Sequence, residues 1–476
     1  MQAHYPIYCA GEFIRSNKPL PVIFPFNGQV IAETYLADHA MLERAIQAGQ
    51  TAQAELKKLP THRRADALLT IAEGIQQRRA EFAEALMLET GKPLSYARAE
   101  VDRAILTFTD GAEEAKRING EWLALDRFAA GENHEAIVRR FPIGLVAAIA
   151  PFNFPLNLVA HKLAPALAAG CPIILKPASK TPLSALLLAE LIDQTNLPKG
   201  AVSVLPMDRA TGDLLVTDER FKLLTFTGSP SVGWDMKTRA GKKKVVLELG
   251  GNAAAIVTES AELEKIIPKL VVGAFGQSGQ SCVHTQRIYV HRSHFVAFTQ
   301  AFVAATKQLA YGDPRDDGTQ FASMIDGANA ERINSWVVAA TTEGAHVLSG
   351  GERIGETGFQ PTVLTNTSAE MKVCSEEAFA PVVIVEPYDR FAEALDLVND
   401  SAFGLQAAIF TDSLTETQLA YERLEVGGVI INDVPNFRAD HMPYGGVKDS
   451  GLGREGVRYA IEDMTELKTL VVNRSI

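Results

Sequence analysis

Cysteine is scarce: four residues in 476, at positions 9, 171, 282 and 374. Their scatter fits neither a disulfide scaffold nor a zinc site, and His4, His134, His284 and His441 show no metal-ligand spacing. No metal is expected. Widely separated free thiols suit a reducing compartment, so a cytoplasmic location is expected. Long apolar runs are missing too; none reaches ~18 residues without charge, and no basic–apolar leader opens the chain, so no membrane association is expected. Positive charge is in deficit, with 46 Lys and Arg against 57 Asp and Glu and a net charge of −11. That balance argues against a nucleic-acid partner. Internal repeats and low-complexity tracts are absent as well. What remains, 47% hydrophobic and 22% charged residues, is the composition of a soluble globular protein with more than one core.

Along the chain, HYPIYCAGEFIRS reads as a short hairpin turning at Ala10-Gly11. From Asp38 to Glu114 the apolar residues recur at three and four, with Gly91-Lys92-Pro93 dividing the region into two long helices. After Ala136 short apolar runs alternate with helical stretches: LVAAIA, PIILKP, VSVLP, KLLTFTG and VVLELGG, then AAAIV, RIYVHR, PVVIVEPY and AAIFT. Unpatterned apolar strands between helices predict an α/β fold with parallel sheets covered on both faces. GEWLALDRF and the final TELKTLVVNRS are strands outside both blocks. They either pair with each other, extend a neighbouring subunit's sheet, or form an ordinary edge hairpin.

Three stretches hold a polar side chain where packing alone does not call for one. Cys282 closes GAFGQSGQSC, whose glycines allow close approach to a ligand. Glu248 lies in LELGG and Asn153 between the phenylalanines of APFNFP. A nucleophile, a carboxylate and an amide donor are the parts needed to attack a carbonyl, hold the oxyanion and activate a water. A buried structural cysteine is the alternative for Cys282. LTFTGSPSVG, with Gly228, Ser229 and Gly233, runs from a strand into a helix as a loose relative of the dinucleotide fingerprint, or as an ordinary strand–helix turn. Lys176 in LKPAS ends another strand, placed to meet ribose hydroxyls or water.

With these stretches in view the sequence resembles the aldehyde dehydrogenase superfamily over nearly its whole length. APFNFP, LKPAS, FTGS, LELGG, GQSC, EEAFAP and PYGGVKDSGLGREG occur in the family's order, with Cys282 34 residues after Glu248. The resemblance implies a Rossmann-like parallel-sheet cofactor domain (1–122 and 143–250), a second α/β catalytic domain (251–450) and a small β oligomerisation arm (123–142 and 451–476), joined into a homodimer or homotetramer. It implies that Cys282 attacks the aldehyde, that the Asn153 amide and the Cys282 N–H hold the oxyanion, and that Glu248 activates the hydrolytic water. Lys176, Ser179, Phe152, Gly228, Ser229, Gly233, Glu377 and Phe379 fall at cofactor positions. Coenzyme A-acylating relatives typically lack the glutamate, so its presence favours hydrolysis to the acid; an acyl-transferring enzyme and a catalytically silent nucleotide-binding scaffold are the alternatives.

Ser179 stands where many NAD-using relatives carry glutamate, so the resemblance implies that NADP is accepted, beside NAD. The nearest likeness is to dehydrogenases of lactaldehyde, phosphonoacetaldehyde and succinic semialdehyde, which implies a short polar substrate. Arg103, in AEVDRAILTF, matches a position used for anionic tails, or else makes a helix–helix ion pair. His161 and Arg438 are further candidates to face the substrate. Ser281 replaces the arginine that phosphate-handling relatives tend to carry beside the nucleophile, which favours a hydroxy- or carboxy-aldehyde.

Overall fold

The computed structural model describes residues 2–475. Five parallel strands form the middle of the first sheet, in the spatial order Val202–Val204, Ile173–Lys176, Val146–Ile149, Leu223–Thr227, Lys244–Glu248. The chain starts in the centre, steps outward twice, then returns to build the other side. The order therefore reverses between Val146–Ile149 and Leu223–Thr227, and ligands of open α/β sheets gather at the carboxyl ends beside such a reversal. Side chains alternate across the sheet: Val146 and Ala148 enter one core, Ala147 and Ile149 the other. Helices cover both, which is why these strands read as unbroken apolar runs. The hairpin Ile7–Cys9/Glu12–Ile14 edges the sheet on one side, its turn formed by Ala10 (φ 56°) and Gly11 (φ 87°). Gly451–Leu452 pairs with Leu247 and Glu248 on the other.

The helical region holds four helices where the periodicity predicts two: His39–Lys58, Thr61–Gln77, Arg79–Thr90 and Leu94–Ala115. Pro60 forces Leu59 out of the helical region (φ −67°, ψ 121°). Arg78, at φ −102° and ψ 20°, separates the second from the third. Gly91 caps the third in the left-handed conformation, φ 74°, as its sequence context predicts.

The second sheet runs His346–Ser349, Thr362–Thr365, Val382–Tyr388, Arg287–His291, Ala254–Val257, Gln406–Phe410, Gly428–Ile431, parallel except for its first pair. The third is antiparallel and small, Thr465–Asn473, His134–Pro142, Glu121–Ala124. The two remote strands do not pair with each other; each takes one edge of His134–Pro142, a strand hidden in the sequence by its mixed apolar and charged texture. The tail joins this sheet from Thr465, not from 451: Gly451–Leu452 belongs to the first sheet, and the helix Val457–Asp463 packs on the helix Asn157–Ala169. Among the described residues no helix is long and apolar enough to cross a membrane.

Candidate active site

A cavity of about 680 Å³ opens at the carboxyl ends of the first sheet's strands, facing the loop that carries Cys282. Cys282, Glu248, Asn153, Lys176, Ser179, Phe152, Gly228, Ser229, Glu377, Phe379, Arg103, Ser281 and Arg438 all line it. Gly233 and His161 do not. Gly233 sits in the helix Pro230–Arg239, where a Cβ would come within 2.4 Å of Leu249, so it permits helix–sheet packing. His161 lies buried behind the wall, its Nε2 2.8 Å from Asp440 and 3.1 Å from Arg438. It can orient those groups and does not touch the cavity.

Cys282 keeps some exposure, whereas Cys9, Cys171 and Cys374 are buried. Its low-dielectric surroundings push the thiol up to about 12. The Tyr444 hydroxyl is 3.0 Å from Sγ and works against that rise. The Cys282 carbonyl occupies the place a Cβ on residue 251 would take, 2.1 Å away, which accounts for the second glycine of LELGG. Among the described residues the Cys282 N–H has no acceptor.

Asn153 is held from three directions. Its amide donates one N–H to the Gln280 carbonyl (3.1 Å) and has a second to spare. Its own carbonyl accepts from Lys92 (2.7 Å) and Gln277 (2.6 Å). Lys92 in turn pairs with buried Glu100 at 2.5 Å. The other Glu100 oxygen accepts from the Leu156 and Asn157 N–H groups at 2.9 and 3.1 Å, satisfying the start of the helix Asn157–Ala169. Gln277 and Ser278 adopt left-handed backbone at φ 53° and 56°, a strain tolerated on the way to the nucleophile.

Glu248 is buried, and among the described residues neither of its oxygens has a hydrogen-bond partner. Burial, reinforced by the charge of Glu455, raises its pKa well above the carboxylate range, against Arg438, Lys162 and Arg454. Glu455 is equally buried, but Lys162 and Arg438 outweigh that burial and keep it ionised. Lys162 reaches it at 3.4 Å and Arg438 at 3.0 Å. Two neighbouring carboxyls with protonation pushed in opposite directions are the mark of acid–base chemistry.

At the other end, Ser229 lines the cavity and precedes the helix Pro230–Arg239 with no side-chain cap, so the cavity meets an uncapped helix N-terminus, which favours an anion. Phe152 and Phe379 meet edge to face at 5.8 Å, Phe379 at a strained φ of 45°. Glu377 accepts from the Gly251 N–H at 2.9 Å, and burial lifts it to about 7. Lys180 is engaged by Asp326, the N-cap of the helix Gly327–Thr342. This combination of an uncapped helix end, a strand-end lysine and an apolar slot fits a dinucleotide.

Arg103 both lines the cavity and makes an ion pair, with a loop residue and not with a second helix as the alternative had it, donating from Nε (3.1 Å) and Nη2 (2.7 Å) to Asp440. Three of its five N–H groups stay uncommitted. Tyr444, Glu455, Lys162, Asp440, Lys92 and Glu100 escape sequence reasoning. A signal exists for some: Tyr444 and Glu455 sit inside PYGGVKDSGLGREG, and Lys162 is the one lysine in the helix NLVAHKLAPALAA, which is apolar apart from it, Asn157 and His161.

Residues 13–470 match the sequence profile of the aldehyde dehydrogenase family, and the chain belongs to that family. Among its relatives is the 3-sulfolactaldehyde dehydrogenase of Priestia megaterium, 43% identical over 98% of both chains. The crystal structure of aldehyde dehydrogenase 21 from Physcomitrella patens, in complex with its reaction product succinate, superposes with a TM-score of 0.98 at 45% identity, covering 100% of this chain and 99% of that one. Glyceraldehyde-3-phosphate dehydrogenase GapN of Methanocaldococcus jannaschii, complexed with NADP, gives 0.92 at 37% identity, covering 96% and 100%.

Proposed function

We propose that this protein oxidises a short polar aldehyde, carrying a hydroxyl, carboxylate or sulfonate tail, to the carboxylic acid with NADP or NAD. The observation that carries the reading is the meeting of Cys282, Glu248 and Asn153, far apart in sequence, around one cavity. Cys282 attacks the aldehyde carbon. The spare Asn153 N–H and the Cys282 N–H receive the oxygen as it gains charge. Glu248, neutral at rest, must ionise to take a proton from the water that releases the acyl group from sulfur. A bound NAD(P)+ supplies the hydride acceptor. Lys176, Ser179 and the N-terminus beside Gly228 and Ser229 would hold its adenosine and diphosphate, with Glu377, Phe379 and Phe152 at the nicotinamide end.

The first sheet with its helices serves as the cofactor domain, the second sheet as the catalytic domain, and the third sheet as an arm joining two or four copies in the cytoplasm. The arm's strands expose Trp122, Leu467, Leu470 and Val471, an apolar surface suited to another subunit. Arg103 and Arg438 at the cavity wall favour an anionic tail. The succinate held by the Physcomitrella relative and the sulfonate named for the Priestia relative are tails of that kind. Ser179 leaves room for a 2′-phosphate. The test is a reduction screen of NADP and NAD over short aldehydes with neutral, hydroxyl, carboxylate, sulfonate and phosphate tails. Hydroxyl, carboxylate or sulfonate aldehydes should lead with either cofactor, and a lead for the neutral or phosphate tails would overturn the reading. Consumption of coenzyme A would favour acyl transfer instead.

A further inference from the structure

The Tyr444 side chain satisfies its packing without its hydroxyl. The ring, 4% exposed, clusters with Val283 and Leu405 and lies under the Arg438 guanidinium, 3.8 Å from ring centroid to Cζ. A phenylalanine would fill that space equally well. Among the described residues the hydroxyl's one hydrogen bond is to Cys282 Sγ, at 3.0 Å. The ring position is fixed by the backbone bridge between Tyr444 and Glu455, with N–H···O distances of 3.0 and 2.6 Å. A donor has been built against the nucleophile in a place where an apolar residue would suffice.

We infer that Tyr444 is a catalytic residue: its O–H donates to the Cys282 thiolate and sets the pH at which the nucleophile becomes active. The inference rests on Cys282 being the nucleophile of the reaction proposed above. The thiol proton leaves to water, and the phenol O–H bond stays intact and points at the sulfur. When the sulfur electron pair forms the bond to the aldehyde carbon, the carbonyl π pair moves to oxygen and the phenol loses its anionic partner. The donor therefore favours the resting thiolate. Burial raises both groups, and the phenol starts from the higher ordinary value, so the sulfur ionises first. The charges facing the sulfur are mixed. Arg438 favours the thiolate, Glu248 and Glu377 oppose it once ionised, and Glu455 lies beyond Arg438 as its partner. Arg438 over the ring face draws electron density from the phenol and sharpens it as a donor.

The test is the pH dependence of Cys282 alkylation by iodoacetamide on the full-length enzyme, which needs no aldehyde and so separates this inference from the choice of substrate. Cys282→Ala provides the background from the buried thiols. Read below the midpoint, the Tyr444→Phe enzyme should be alkylated about tenfold more slowly at a given pH, a rise of roughly one unit in the thiol's ionisation. The acid limb of kcat/KM should move by the same amount, with Tm and NADP affinity unchanged. Should Tyr444→Phe fold poorly, Tyr444→Met, which fills the site without a hydroxyl, should slow alkylation likewise. An unchanged alkylation rate in whichever of these variants keeps the wild-type Tm would overturn the assignment. If Cys282→Ala retains full dehydrogenase activity, the fault lies in the nucleophile assignment itself.

Discussion

Two buried charge clusters flank the cavity, and they are built differently. Lys92 and Glu100 form a closed pair whose remaining donors and acceptors go to backbone, at Asn153, Leu156 and Asn157. Every charge there has a fixed partner, so the cluster holds a loop in place. Around Glu248 the arrangement is open: Glu455 has two cations, while Glu248 has no hydrogen bond among the described residues. An unsatisfied buried carboxylate is expensive unless it takes a proton. The first cluster fixes where the amide stands; the second leaves a proton site poised to change state. Breaking the one should cost stability, and breaking the other should move a pH profile.

The largest effect falls on the reacting groups. Cys282→Ala should abolish NAD(P)H formation, whereas Glu248→Gln should keep a stoichiometric first-turnover burst and lose ~10²–10⁴ in steady-state kcat. Because Glu248 is neutral at rest, wild-type kcat should climb as pH rises through its elevated ionisation, and the rise should vanish in the glutamine variant. Stopped-flow absorbance at several pH values separates these outcomes. Next comes Glu100→Gln, which strands the Lys92 ammonium in the interior and should cost ~3–5 kcal/mol in urea unfolding. A loss below about 1 kcal/mol would mean that the closed cluster is not structural.

Glu455→Gln should act in the opposite register. Removing its charge takes away one cause of the high Glu248 ionisation and leaves Lys162 and Arg438 to lower it further. The kcat limb should therefore shift to lower pH by roughly one unit. A shift to higher pH would contradict the sign. The smallest expected change is Arg103→Ala: KM for carboxylate or sulfonate aldehydes should rise ~10-fold while KM for neutral ones stays constant, since two of the arginine's donors are already spent on Asp440. Equal effects on both kinds of aldehyde would restrict Arg103 to its ion pair.

How far the sequence anticipates all this follows from what each feature depends on. The five parallel strands of the first sheet and four of the second sheet's seven are local apolar runs bounded by turn residues, and they are legible one by one. His346–Ser349 and Thr362–Thr365 carry no such run, and they and Gly428–Ile431 are missed. Cys282, Glu248 and Asn153 are legible too, because each interrupts a stretch whose texture calls for something else. The strand His134–Pro142 is not legible, since its alternation of apolar and charged residues belongs to a sheet exposed on its surface. Pro60 splits a helix that the apolar periodicity carries straight through. His161 looks like a cavity residue because it neighbours the right motif, yet helical geometry turns it to the far side, against Asp440. Glu455 and Tyr444 are visible as letters of a motif, but their roles arise only when the chain's last fifty residues return to strands built two hundred residues earlier.

That return has a consequence for how the protein is made. Gly451–Leu452 supplies the last strand beside Glu248, and Thr465–Asn473 completes the sheet begun at Glu121. A nascent chain emerging from the ribosome lacks these pieces until residues 451–473 have been added. The sheet formed by residues 146–248 must wait, with one edge unpaired, for a segment synthesised much later. Premature termination anywhere before residue 451 should therefore yield an insoluble fragment instead of a smaller functional unit.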